Sequence, residues 1–79
     1  MDITTAVRIR ISELCKDRKL TINKLGTVCG ITQSTIKNIM SGRNGATVTT
    51  LKKLCDGLEI DIIEFFNTDL FRNLEQEIK

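Results

Sequence analysis

Residues 21–40 read TINKLGTVCGITQSTIKNIM, and the rest of the chain is arranged around this stretch. Thr21 stands where a helix N-cap belongs, and Leu25 and Val28 follow at helical spacing. Gly30 then interrupts the pattern, because glycine takes the left-handed, helix-ending conformation without steric cost. Ile31 is expected as a buried turn residue. Thr32 is a second N-cap, its hydroxyl oxygen placed to accept from a free backbone N–H of the next helix. In that helix Ile36, Ile39 and Met40 form an apolar face at i, i+3, i+4. Gln33, Ser34, Lys37, Asn38 and Ser41 occupy the other face, which hydrogen-bonds well and carries no acid. The stretch predicts helix, tight turn, helix.

The flanking segments are also helical. Val7, Ile11 and Leu14 repeat at i, i+4, i+7 and predict a helix over 4–18, with Ile3 able to extend it. Thr4 or Thr5 is expected to cap it, and Arg8, Lys16 and Arg18 to face solvent. Residues 41–47, SGRNGAT, are a loop. A helix follows from about Val48 to Leu58, with Leu51, Leu54, Cys55 and Leu58 inward and Lys52 and Lys53 outward. The run DIIE at 61–64 reads as a capping box that starts another helix, in which Ile62, Phe65 and Phe66 seal the core. Asn67 and Thr68 make a break. Asp69 then caps a sixth segment with an apolar stripe of Leu70, Phe71, Leu74 and Ile78. That stripe would pack on its own domain or form a dimer contact. The expectation is an all-α, compact five-helix domain over 1–67 and a short helical extension over 68–79.

Composition narrows the function. The chain has 79 residues, 41% of them apolar, which suits one domain with a modest core. It holds no His, so the commonest general base and metal ligand is missing. No nucleophile sits with a plausible base, and Asp61 and Glu64 are better read as a helix cap than as paired catalytic carboxylates. An enzyme is therefore not expected, nor a cofactor, metal or small-molecule ligand. No apolar run reaches the ~18 residues of a membrane span, and MDITTAVRIRI lacks the apolar core of a signal peptide. The expected location is cytoplasmic. Cys15, Cys29 and Cys55 are odd in number and show no zinc spacing, so they are expected as buried or half-buried free thiols.

Charge is unevenly spread. The net charge is +2, yet residues 18–55 hold seven bases (Arg18, Lys19, Lys24, Lys37, Arg43, Lys52, Lys53) and no acid. Residues 56–79 hold seven acids and two bases. The acid-free block contains the helix–turn–helix stretch and the loop after it, the footprint expected of phosphate binding.

At residues 21–40 the sequence resembles the helix-turn-helix of the Cro and phage-repressor type, the XRE family of transcriptional regulators. The matching positions are Leu25, Gly30, Ile31, Thr32, Ile36, Ile39 and Gly42. Upstream Val7, Arg10, Ile11, Leu14 and Leu20 match, and downstream Leu51, Leu54, Leu58, Ile60, Phe65 and Phe66 do so, over roughly residues 5–67. The resemblance implies a lambda-repressor-like fold whose recognition helix, about 33–41, enters the major groove of double-stranded DNA. Gln33, Ser34 and Asn38 are then the candidates for base edges, with Lys37 reading guanine or binding phosphate. Thr21, Asn23, Thr35, Arg43 and Asn44 are the candidates for phosphates. The family commonly pairs an Arg, here matched to Arg10, with a Glu near the end of the recognition helix, where this chain has Met40. Arg10 is left to turn to phosphate, to an acid elsewhere, or to solvent. Ile22 replaces a frequent phosphate-holding Gln. Glu59 replaces a frequent helix-ending Gly, so a different cap is expected there. The implied role is a sequence-specific regulator, a repressor acting by operator occupancy, bound as a homodimer to a palindromic site. The alternative is a protein–protein interaction module derived from this fold, or an antitoxin-type partner-binding protein.

Overall fold

The computed structural model describes residues 1–78. Five α-helices run in order: α1 (Ile3–Asp17), α2 (Ile22–Cys29), α3 (Gln33–Ser41), α4 (Val48–Leu58) and α5 (Ile62–Phe66). A single 3-10 turn, Asp69–Phe71, follows.

Each helix begins on a side-chain cap. Thr21 accepts from Lys24 N at 3.1 Å, Thr32 from Thr35 N at 3.2 Å and Thr47 from Thr50 N at 3.1 Å. A threonine cap of this kind contributes about 0.5–2 kcal/mol. The DIIE capping residue behaves as expected, Asp61 Oδ1 accepting from Glu64 N at 2.6 Å. At α1 the cap is Asp2, not Thr4 or Thr5, because the Asp2 carboxylate takes Thr5 N at 2.8 Å. The Thr5 hydroxyl instead accepts from the Arg8 guanidinium.

The ends of α1 to α4 each turn on a left-handed residue. Gly30 has φ 70° and Gly42 φ 81°. Glu59 does not bring a different cap: it adopts the same left-handed geometry, φ 60°, and lets Ile60 N reach Cys55 O at 3.0 Å. Closing that loop needs a positive φ whatever the side chain. Lys19, φ 56°, does the same for Leu20 N on Cys15 O.

The core joins α1, α2, α3, α4 and α5. Ile11, Leu25, Ile36, Leu54 and Phe65 are wholly buried. Val28 is not part of it: at 47% exposed it faces solvent, and Cys29 turns inward instead. All three cysteines are buried free thiols, and burial pushes each thiol pKa up. The helices α2 and α4 approach closely at Gly57, where a Cβ would overlap the Cys29 sulfur.

The expected sixth helix over Leu70–Ile78 is replaced by the 3-10 turn and irregular chain. Thr68, not Asp69, caps the turn, and the Asp69 carboxylate is engaged by Arg72 Nε at 3.0 Å. Phe71 packs edge-on against Phe66 at 4.8 Å, and Glu75 N donates to Met1 O at 3.0 Å. These contacts draw the tail against the N-terminus, and a helix of so few residues is marginal without its own packing. The apolar stripe is accordingly split. Leu70, Phe71 and Leu74 are half-buried, while Ile78 is 88% exposed.

Candidate nucleic-acid interface

Gly30, Ile31 and Thr32 turn the chain from α2 into α3. Ile31 is buried in the turn, and its N–H donates to Gly26 O at 2.9 Å. Across the junction Gln33 Nε2 donates to Asn23 O at 3.1 Å. The N-terminal turns of α2 and α3 are thus tied by a side chain from one to the backbone of the other. Gly26 permits this approach, since a Cβ there would stand 3.1 Å from Gln33 Nε2.

Burying Ile36 and Ile39 turns the opposite side of α3 outward. Gln33, Ser34, Thr35 and Lys37 are exposed, and Ser41 continues the polar face. Asn38 is half-buried. Its carbonyl accepts from Arg43 N at 3.1 Å, from Asn44 N at 3.3 Å and from Ser41 Oγ at 3.2 Å. That one carbonyl folds the start of the 42–47 loop back onto the end of α3. Arg43 and Asn44 are both exposed, as are Thr21 and Asn23 at the start of α2. Thr35 also receives a hydrogen bond at its hydroxyl from Thr32 Oγ1, at 2.9 Å.

The charge on this surface is unneutralised. Among the described residues Lys24, Lys37 and Arg43 make no ion pair, whereas Lys52 pairs with Asp56. The N-termini of α2 and α3 add backbone N–H groups and the positive ends of two helix dipoles. Such a surface attracts a polyanion, and its amide and hydroxyl groups suit base edges.

Arg10 turns away from Met40, toward α5 and toward an acid of its own helix, Glu13. Its Nε donates to Phe65 O at 2.7 Å and an Nη to Glu64 O at 2.9 Å, at the end of α5. Glu13 stands 3.9 Å away. Arg8, expected in solvent, is the arginine that meets the end of α3: an Nη donates to Met40 O at 3.5 Å. Sequence spacing carries no signal for this contact, because the two residues lie in different helices joined by two turns.

No group of His, Cys, Asp or Glu side chains that could hold a metal ion occurs among the described residues. No described helix is long and apolar enough to cross a membrane.

Comparison with known proteins agrees with this geometry. Among solved structures the chain is similar to prophage Lp1 protein 11, with 32% identity and a TM-score of 0.83 over 94% of this chain and 100% of that one. It is also similar to an HTH_3 family transcriptional regulator from Vibrio cholerae, with 25% identity and a TM-score of 0.75 over 85% of this chain. The match spans 38% of the Vibrio protein. No curated protein matches. Residues 11–65 match the model of the helix-turn-helix family HTH_3. The chain therefore belongs to the Cro and phage-repressor type of helix-turn-helix proteins, a family of DNA-binding transcription regulators.

Proposed function

We propose that this protein reads a specific double-stranded DNA sequence and represses transcription by occupying an operator. The observation that carries the reading is the outward face of α3, exposed, polar and acid-free, set beside the capped N-terminus of α2. Gln33, Ser34, Lys37 and Asn38 contact bases in this reading. Gln and Asn bond adenine bidentately, and Lys suits guanine. Thr21, Asn23, Thr35, Arg43 and Asn44 hold phosphates on either side.

One recognition helix touches few base pairs, so two copies on a palindrome, about 34 Å apart, are expected. Leu70, Phe71, Leu74 and Ile78 are the proposed contacts between copies, with Ile78 the most available. Three buried free thiols suit a reducing cytoplasm.

The test is selection from a random duplex pool, sequenced and repeated at two salt concentrations. A short palindrome with salt-sensitive affinity supports the proposal. Folded protein with no enrichment at low salt overturns it and favours a partner-binding module.

A further inference from the structure

Arg8 and Arg10 leave the same helix, α1, and each ends on the C-terminus of another helix. Arg10 grips two carbonyls of α5 at 2.7 and 2.9 Å. Arg8 reaches Met40 O in the last turn of α3 at 3.5 Å, and its other Nη reaches Thr5 Oγ1 at 3.3 Å. The guanidinium also lies over Gly42: a Cβ there would stand 3.4 Å from Arg8 Cζ. Gly42 is the left-handed cap from which the chain enters the 42–47 loop.

We propose that Arg8 is a positioning residue that sets the end of the recognition helix and the course of the Arg43–Asn44 loop. The last carbonyls of a helix lack intrahelical donors and carry the negative end of its dipole, so a guanidinium is favoured there. Among the described residues Arg8 makes no ion pair, and its Nε is buried with no hydrogen-bond partner. Its polar contacts therefore run to the α3 backbone and to Thr5. The loop begins one residue later, where the N–H groups of Arg43 and Asn44 converge on Asn38 O. Holding Met40 and Gly42 fixes the backbone from which Arg43 projects. The shallow groove beside Arg8 is lined by Ile9, Ser12, Glu13, Lys16 and Met40. Both Nη atoms of Arg8 are already engaged, one by Met40 O and the other by Thr5 Oγ1, so its contacts in this fold are internal.

The inference rests on the DNA-reading proposal, and the test separates the two. Arg8→Met and Arg8→Lys are compared with the parent on the duplex recovered by selection and on a scrambled duplex, across a salt series. Arg8→Met is expected to reduce the preference for the selected duplex by roughly tenfold, with the salt slope unchanged, and Arg8→Lys to restore part of it. A slope smaller by about 0.9 would make Arg8 a phosphate ligand and overturn the proposal. Amide exchange in the free protein supplies a readout that needs no DNA. Arg8→Met should speed exchange at Arg43 and Asn44 while Leu54 stays protected. Unchanged exchange at those two amides, or an unchanged preference in a folded variant, overturns the proposal. If no duplex is ever selected, the DNA reading fails while the exchange comparison still decides whether Arg8 holds the loop.

Discussion

Cys29 and Gly57 occupy one space where α2 crosses α4. A Cβ on Gly57 would overlap the Cys29 sulfur and stand 3.2 Å from both Cys29 Cα and Cβ. The absent side chain is what lets the first helix of the motif lie against α4. In an exposed helix Gly→Ala is stabilising by up to about 1 kcal/mol. Here Gly57→Ala should instead cost about 1–3 kcal/mol, from overpacking. Cys29→Ala in the same chain should recover part of that, since it removes the sulfur and leaves the backbone crowding. Urea denaturation of the two single variants and the double variant measures the coupling.

Glu59 closes α4 with φ 60°, and Lys19 follows α1 with φ 56°. A left-handed L-residue costs roughly 1–2 kcal/mol, partly offset by the entropy that glycine loses on folding. Glu59→Gly and Lys19→Gly should each stabilise the fold by about 0.5–1 kcal/mol. A fall in the denaturation midpoint of either variant would show that its side chain contributes more than its backbone strain removes.

Arg43 is exposed in the loop after α3, and Gln33 is tied to Asn23 O. Arg43→Ala should weaken binding to every duplex and lower the salt slope by about 1. Gln33→Ala should cost about 1–3 kcal/mol more on the selected duplex than on a scrambled one. Because Gln33 also links α2 to α3, its thermal transition must be followed in parallel. If both variants bind the selected duplex as the parent does, the DNA face lies elsewhere.

Asp2 accepts the N–H of Thr5, which lowers its carboxyl pKa below the ordinary 3.8. A pKa lowered on folding gives stability that is present above 3.8 and lost as pH falls through the folded value. Asp2→Asn keeps a capping oxygen and loses the charge. Thermal scans should therefore show parent and variant apart at pH 6 and converging near pH 2. Curves that stay parallel across that range would rule out Asp2 as the titrating cap.

Cys15, Cys29 and Cys55 are buried, and burial pushes each thiol pKa upward from 9.0. Little thiolate exists near neutral pH, so an aromatic disulfide reagent should label the native protein slowly at all three. Labelling should accelerate sharply in denaturant. Fast labelling of one thiol in the native protein would mark local opening at its helix.

Residues 21–40 made the central motif legible because its signals are local. A cap oxygen, a left-handed glycine and an i, i+3, i+4 stripe each act within one turn of chain, so Thr21, Gly30, Thr32, Ile36 and Ile39 read correctly from order alone. The same logic placed α4 and the Asp61 cap. It misjudged Val28, because a half-apolar helix cannot reveal which of two adjacent hydrophobes turns inward. It also extended a sixth helix through Ile78, since periodicity carries no information about Phe71 being captured by Phe66 or Glu75 by Met1.

The candidate contact face divides in the same way. Which side chains of α3 point outward follows from the helical period and the burial of Ile36 and Ile39, and the basic block is a matter of composition. Where two arginines two residues apart would go is not local. Arg10 ends on two α5 carbonyls and Arg8 on the Met40 carbonyl, beside Gly42, because helix packing brings those groups within reach of α1. The close fit of Cys29 on Gly57 is likewise a product of the crossing of two helices. Forces that act over a few residues made the five helices, most of their caps and the chemistry of the exposed face legible in the order of residues. Which distant groups meet is settled by the packing of whole helices, because such contacts depend on the angle and distance at which the helices cross.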